Sequence, residues 1–244
     1  MSTEKSAVAF IAFWLGLAGI AAVGLGILGI HTGLLPPLTG FYLFSLGSLV
    51  GGALAFLLGL AGLFTTRRSL DSKSRSRAWA ATGMGFVLVG LVFTAAVPGQ
   101  EFPPINDITT DLDDPPSFAP AARVPAYADF DMSYPAEFVP VVREAYPDLE
   151  TIEPGLAPAN AYAAAIQAAH SLGWEITDEN PAERRFDATD TTAVFRFVDD
   201  ITVRIRPLGS GSEVDLRSRS RVGRGDLGAN AIRIRAFVEE LARS

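Results

Sequence analysis

Two groups of residues have types and spacings that could do chemistry. The first lies in EVDLRSRSRVGRGDLGANAIRIR, residues 213–235, where Arg217, Arg219 and Arg221 occupy every second position and Arg224, Asp226 and Asn230 follow. Alternate residues of a strand share a face. Glu213, Asp215, Arg217, Arg219 and Arg221 therefore point one way, and Val214, Leu216, Ser218 and Ser220 the other. In the run just before it, Ile201, Val203 and Ile205 form an apolar side and Thr202, Arg204 and Arg206 a polar one. Paired as a hairpin, the two strands bring five arginines to one sheet face. Three uses suit such a row. The arginines can pair with carboxylates on their own face, dock an acidic segment of the same chain, or recognise an external anion, lipid headgroup or acidic partner. The candidate ligand-binding set is Arg204, Arg206, Arg217, Arg219, Arg221, Arg224, Asp226 and Asn230.

The second group is INDITTDLDDPP, which gathers Asp107, Asp111, Asp113 and Asp114. Clustered carboxylates can hold a hard cation. The spacing departs from the EF-hand pattern, and Asp before Pro forms turns. No metal site is favoured, and a cation-dependent hydrolase built on these aspartates is kept as the alternative function. General acid–base work needs two groups with separated pKa values in one pocket. His170 is the one histidine in residues 98–244, and the end of an Ala-rich helix is a structural place for it. Ser218 and Ser220 lack a nucleophile elbow, and GRGDLG lacks the Lys-Ser/Thr ending of a phosphate loop. Without cysteine there is no thiolate chemistry and no disulfide. The balance favours binding over catalysis, and no cofactor is expected.

What must position these groups is a chain split in two by composition. Residues 1–97 carry a net charge of +4 and 98–244 a net charge of −11. The first part holds three uncharged apolar runs, Ala7–Ile30, Leu38–Phe64 and Ala78–Val97, each near the roughly 20 residues that span a bilayer. They predict a three-helix transmembrane anchor over 1–97. Small residues recur every four positions at Gly47, Gly51, Ala55 and Gly59, and at Ala18, Ala22 and Gly26. That spacing suits close helix packing, within the bundle or between copies. The loop TTRRSLDSKSRSR is basic, whereas HTGLLPP has no Lys or Arg. Positive loops stay cytoplasmic. A multi-pass protein of the bacterial inner membrane is expected, with a cytoplasmic N-terminus and a periplasmic or extracytoplasmic C-terminal domain. An acidic domain on that side excludes nucleic acid as a partner. The partners expected are the lipid bilayer and an envelope protein or anionic ligand; the oligomeric state is open.

Residues 98–158 hold 12 of the 16 prolines and a net charge of −10, yet aromatic residues interrupt them throughout. This predicts an extended arm wrapped on a domain. Over 159–244 a helix from Pro158 ends at Gly173. Strands are predicted at Trp174–Thr177, Arg185–Thr189, Thr192–Val198, Ile201–Arg206 and Glu213–Val222, with a turn at Asp199-Asp200. A final helix begins near the N-cap Asp226, with Leu227, Ala231, Ile234, Val238 and Leu241 on its stripe. The expected fold is three transmembrane helices followed by an α+β domain: an antiparallel sheet, helices on one face, and a C-terminal helix. Charge balance predicts that at least two of the five arginines on the sheet face pair with carboxylates of the domain itself, including the Asp107–Asp114 arm.

INDITTDLDDPPSF, FRFVDDITVRIRP and DLRSRSRVGRGDLGANAIRIRAF, in this order, resemble the domain-of-unknown-function family numbered 1499, over roughly 105–244. The resemblance implies an uncharacterised domain often attached to bacterial membrane helices. It carries no assigned reaction and no catalytic residue.

Overall fold

The computed structural model describes residues 6–68, 71–96 and 102–243. The chain forms two compact units, Met1–Gly99 with Ala193–Arg196, and Gln100–Thr192 with Phe197–Ser244.

The first unit is built on helices α1 (Ala7–His31), α2 (Pro37–Ser45), α3 (Gly52–Thr66) and α4 (Ser72–Ala96), with a π-helical stretch at Leu46–Gly51 joining α2 to α3. Counting α2 through α3 as one, three helices among the described residues are long and apolar enough to cross a membrane. Glycine lets their backbones meet. A Cβ on Gly47 would stand 2.6 Å from the Gly19 carbonyl oxygen, and one on Gly26 2.6 Å from that of Gly40. The stripe Gly47, Gly51, Ala55 and Gly59 thus serves packing inside the bundle. On α1 the buried positions are Ala9, Ala12, Gly16, Gly19, Gly26, Gly29 and Ile30, while Ala18 faces outward. The basic segment is also partly helical. Helix α4 begins at Ser72, six residues before the apolar run, and carries Lys73, Arg75 and Arg77 on its first turns. Val97, the expected end of that run, lies outside the described residues.

The second unit is a five-stranded antiparallel sheet in the order β1-β5-β4-β3-β2. Its strands are β1 (Asp107–Thr109), β2 (Glu175–Asn180), β3 (Arg185–Thr191), β4 (Val198–Leu208) and β5 (Gly211–Ser220). Alternation works as the sequence requires. Phe186, Ala188, Ile201, Val203, Ile205, Val214 and Leu216 make a fully buried face, covered by α6 (Pro158–Ser171) and α7 (Ala229–Leu241). Small residues on α6, Ala161, Ala165 and Ala168, let it lie close, and Trp174 stacks on Phe237 at 5.3 Å. Gly173, at φ 77°, ends the α6 segment as expected.

Four local expectations fail for physical reasons. Thr192–Val198 is not a strand. Thr192 and Phe197 close a tight connection, through Thr192 N–H to the Phe197 carbonyl at 2.8 Å and Phe197 N–H to Thr192 Oγ1 at 2.9 Å. Asp199 and Asp200 are not a turn but sit buried inside β4, because arginines distant in sequence neutralise them. Helix α7 starts at Ala229, leaving Leu227 exposed before it at φ 54°. The arm is not wholly extended, for it forms β1, a 3₁₀ turn at Pro125–Tyr127 and helix α5 (Phe138–Ala145).

Candidate functional site

The polar sheet face is built by β3, β4 and β5 and closed by the arm. Its centre is Arg217, 1% exposed. Register pairs Asp107 of β1 with Arg219 and Thr109 with Arg217, so the Asp107 carboxylate reaches across to the Arg217 guanidinium. Nε and Nη2 donate to the two Asp107 oxygens at 2.8 and 2.7 Å. Nη1 donates to the carbonyls of Met132 and Pro116, and Nη2 also to that of Ser133. All five N–H donors are thereby used. The rings of Phe118 and Tyr134 flank the group at 4.9 and 5.1 Å. One side chain of β5 thus grips four separate points of the arm.

Arg204 and Arg206 make a second grip. Arg204 donates to the carboxylates of Asp114, Asp111 and Asp215 at 2.9, 3.1 and 3.3 Å, and to the Asp114 carbonyl at 2.7 Å. Arg206 lies 2.8 Å from Asp111, 2.9 Å from Asp215 and 3.4 Å from Glu213. Asp111 is a hinge pin. One oxygen takes both guanidinium groups, and the other accepts the backbone N–H groups of Asp113 and Asp114, forming the turn that aims the cluster. Asp113 points out, 97% exposed, with Arg143 at 3.9 Å. The expected pairing between arginines and the arm is present.

At the far end Arg221 is bidentate on Asp200, down to 2.6 Å. Arg219 donates from Nη1 to Met132 Sδ at 2.8 Å and lies 3.9 Å from Asp107, with its guanidinium 5.4 Å from the Phe130 ring centroid. Arg224 is exposed. Asp226 and Asn230 do not join this face. Asp226 is not the N-cap expected, a position Gly228 takes; its carboxylate accepts the N–H groups of Gly228 and Asn230 and holds the turn into α7. Asn230 is buried on the helix side, bonded to Ser218, Ser220 and the Asn106 carbonyl.

A second ionic cluster, unforeseen in the sequence, surrounds Asn230. Arg233 donates to Asp199 at 2.6 Å, Asp190 at 2.8 Å, Ser218 and Asn230. The signal for it was the i, i+3 spacing of Asn230 and Arg233 on a helix facing two serines of β5. Asp187 was also missed. It is buried, 3.2 Å from Arg185, and accepts the Ala119 N–H at 2.7 Å, which ties the arm down a third time. Burial pushes the carboxyls of Asp107, Asp187 and Asp199 above the ordinary range despite their arginines. It also raises the hydroxyls of Tyr127 and Tyr134 within the arm.

Chemically, this arrangement fastens. The carboxylates of Asp107, Asp111 and Asp114 face guanidinium groups, and among the described residues no three His, Cys, Asp or Glu converge as a cation site. His170 is exposed at the end of α6, away from either cluster's bonding. Near the end of β5 the surface changes character. Val222, Leu227 and Ile232 are exposed along the same segment as Arg224.

Comparison with known proteins gives one family. The pattern of the family described as a protein of unknown function (DUF1499) matches residues 107–241, from β1 to the last residue of α7. No curated protein matches the chain.

Proposed function

Since the chain belongs to the DUF1499 family, a family without an assigned reaction, we propose that it is a membrane-anchored binding or scaffolding module of the bacterial envelope. Three helices long and apolar enough to cross a membrane associate it with a bilayer. The basic segment 67–77 stands against a first connection without Lys or Arg, and this supports a cytoplasmic N-terminus in the inner membrane. The folded unit after α4 then lies on the extracytoplasmic side.

The observation that carries the reading is the use of the charged residues. Arg204, Arg206 and Arg217 are engaged by Asp107, Asp111 and Asp114, so the groups best suited to chemistry hold the arm on the sheet, while Arg221 is taken by Asp200 of the sheet itself. The binding surface that fits is segment 222–232. Arg224 supplies charge there, and Val222, Leu227 and Ile232 supply exposed apolar contact. Its partner is an acidic protein segment with apolar residues between its charges. A photo-crosslinking residue placed at Leu227 in the full chain, expressed in cells, tests this. A discrete adduct that disappears with Arg224→Glu is expected. An adduct unchanged by that substitution, or an equal adduct from the exposed Leu208, would contradict the proposal.

A further inference from the structure

One end of the helical unit carries an arrangement that helix packing does not use. Ser6 N–H donates to Ser74 Oγ at 3.0 Å, which sets the start of α1 beside the start of α4. Close by on α1, Phe10, Ile11, Trp14 and Leu15 line a shallow apolar groove on the outer surface. At its Phe10 end stands Arg77, with its guanidinium carbon 5.3 Å from the centre of that ring. Lys73 lies one turn earlier on the same face of α4, and Arg67, Arg68 and Arg75 are exposed in the same basic stretch. The acid of the stretch, Asp71, accepts Ser74 Oγ at 2.6 Å and the Lys73 N–H at 3.2 Å, so it is turned onto the helix start.

A groove for a hydrocarbon chain with a planar cation at one end is complementary to one class of molecule. We propose that this is a site for an anionic phospholipid of the bilayer. The phosphodiester is taken by Arg77 and Lys73, and an acyl chain lies along Phe10, Ile11, Trp14 and Leu15. The Phe10 ring draws the Arg77 guanidinium to the end of the groove, where its N–H groups suit bidentate phosphate bonding. The helices are long and apolar enough to cross a bilayer, where phospholipid covers this groove. Charge complementarity selects the anionic kind. The site differs from the general attraction of a basic helix end because one cation is fixed to one groove. The inference stands independently of any partner of the sheet domain.

The full-length protein, purified and stripped of lipid in a mild detergent, is titrated with phosphatidylglycerol or phosphatidylcholine, and bound lipid is counted by native mass spectrometry. One phosphatidylglycerol should be retained in preference to phosphatidylcholine. Arg77→Gln should weaken it roughly fivefold, the share of one interfacial cation. Trp14→Ala should weaken both lipids alike, and Arg68→Gln should leave the preference within about twofold of wild type, since that charge is not at the groove. If Arg77→Gln loses the helical signal, the exposed Lys73→Gln carries the same expectation. Equal retention of the two lipids would overturn the proposal. So would equal losses from Arg68→Gln and Arg77→Gln, which would mark diffuse charge without a built site.

Discussion

Replacing Arg217 by Met keeps the length of the side chain and removes its charge and donors. What remains is Asp107, 1% exposed, with a carboxylate that has lost both short bonds. Arg219, 3.9 Å away, is too distant to replace them. Removing one partner of a buried ion pair costs about 3–5 kcal/mol, chiefly the burial of the orphaned charge. The carbonyls of Pro116, Met132 and Ser133 lose their donor as well, but they belong to the arm and regain water if it lifts. The least costly response is therefore local opening of the arm, not global unfolding. Amide hydrogen exchange of the full chain in detergent, read peptide by peptide, measures that opening. Amides of β1 and of 117–134 should exchange roughly 100- to 5,000-fold faster, as that free energy requires, while those of α6 and α7 stay slow. The double variant Asp107→Leu with Arg217→Met should recover more than half of the loss, because no charge is then left buried. Arm exchange within about threefold of wild type in Arg217→Met would refute the reasoning. So would a double variant worse than the single one.

Acidity should act in an unusual direction. Asp107, Asp187 and Asp199 have carboxyls raised by burial, so the folded state binds protons more tightly than the unfolded one. Their contribution is fully favourable below the ordinary carboxylate range and is lost as pH rises through the raised values. Asp187→Asn should remove part of that slope in thermal melts taken from pH 4 upward, and an unchanged slope would count against it. Asp148, lowered by its bond to Arg235, works oppositely and loses its contribution as pH falls through its own depressed value. In the helical unit, Gly26→Val should destabilise by about 1–3 kcal/mol, since its Cβ would stand 2.6 Å from the Gly40 carbonyl oxygen. Gly24→Val, with nothing within 4 Å of its Cβ, should be tolerated. Melting of the two variants in one detergent compares them.

The sequence showed most plainly what periodicity controls. Ile201, Val203 and Ile205 against Val214 and Leu216 established the apolar sheet face, and the same alternation placed Arg204, Arg206, Arg217, Arg219 and Arg221 together opposite it. What stayed hidden depended on partners distant in the chain. Asp199-Asp200 has the chemistry of a turn, and only Arg221 and Arg233, brought by β5 and α7, make it affordable inside a strand. Strand β1 is three residues long and exists because β5 offers it an edge, too short for any alternation to register. Helix α5 was masked by Pro140, although the first turn of a helix tolerates proline. Asn230 and Asp226 followed the arginines in sequence and were grouped with them, but the chain turns at Gly223 and Gly228, both at positive φ, and carries them to the other side.

The proposed function rests most directly on where the sheet domain lies. Alkaline phosphatase, active only after export, can be fused behind Ser244 and, separately, within residues 66–77. The account predicts activity from the fusion behind Ser244 and none from the fusion in the basic segment. Activity from the basic-segment fusion alone would place the domain in the cytoplasm and contradict it.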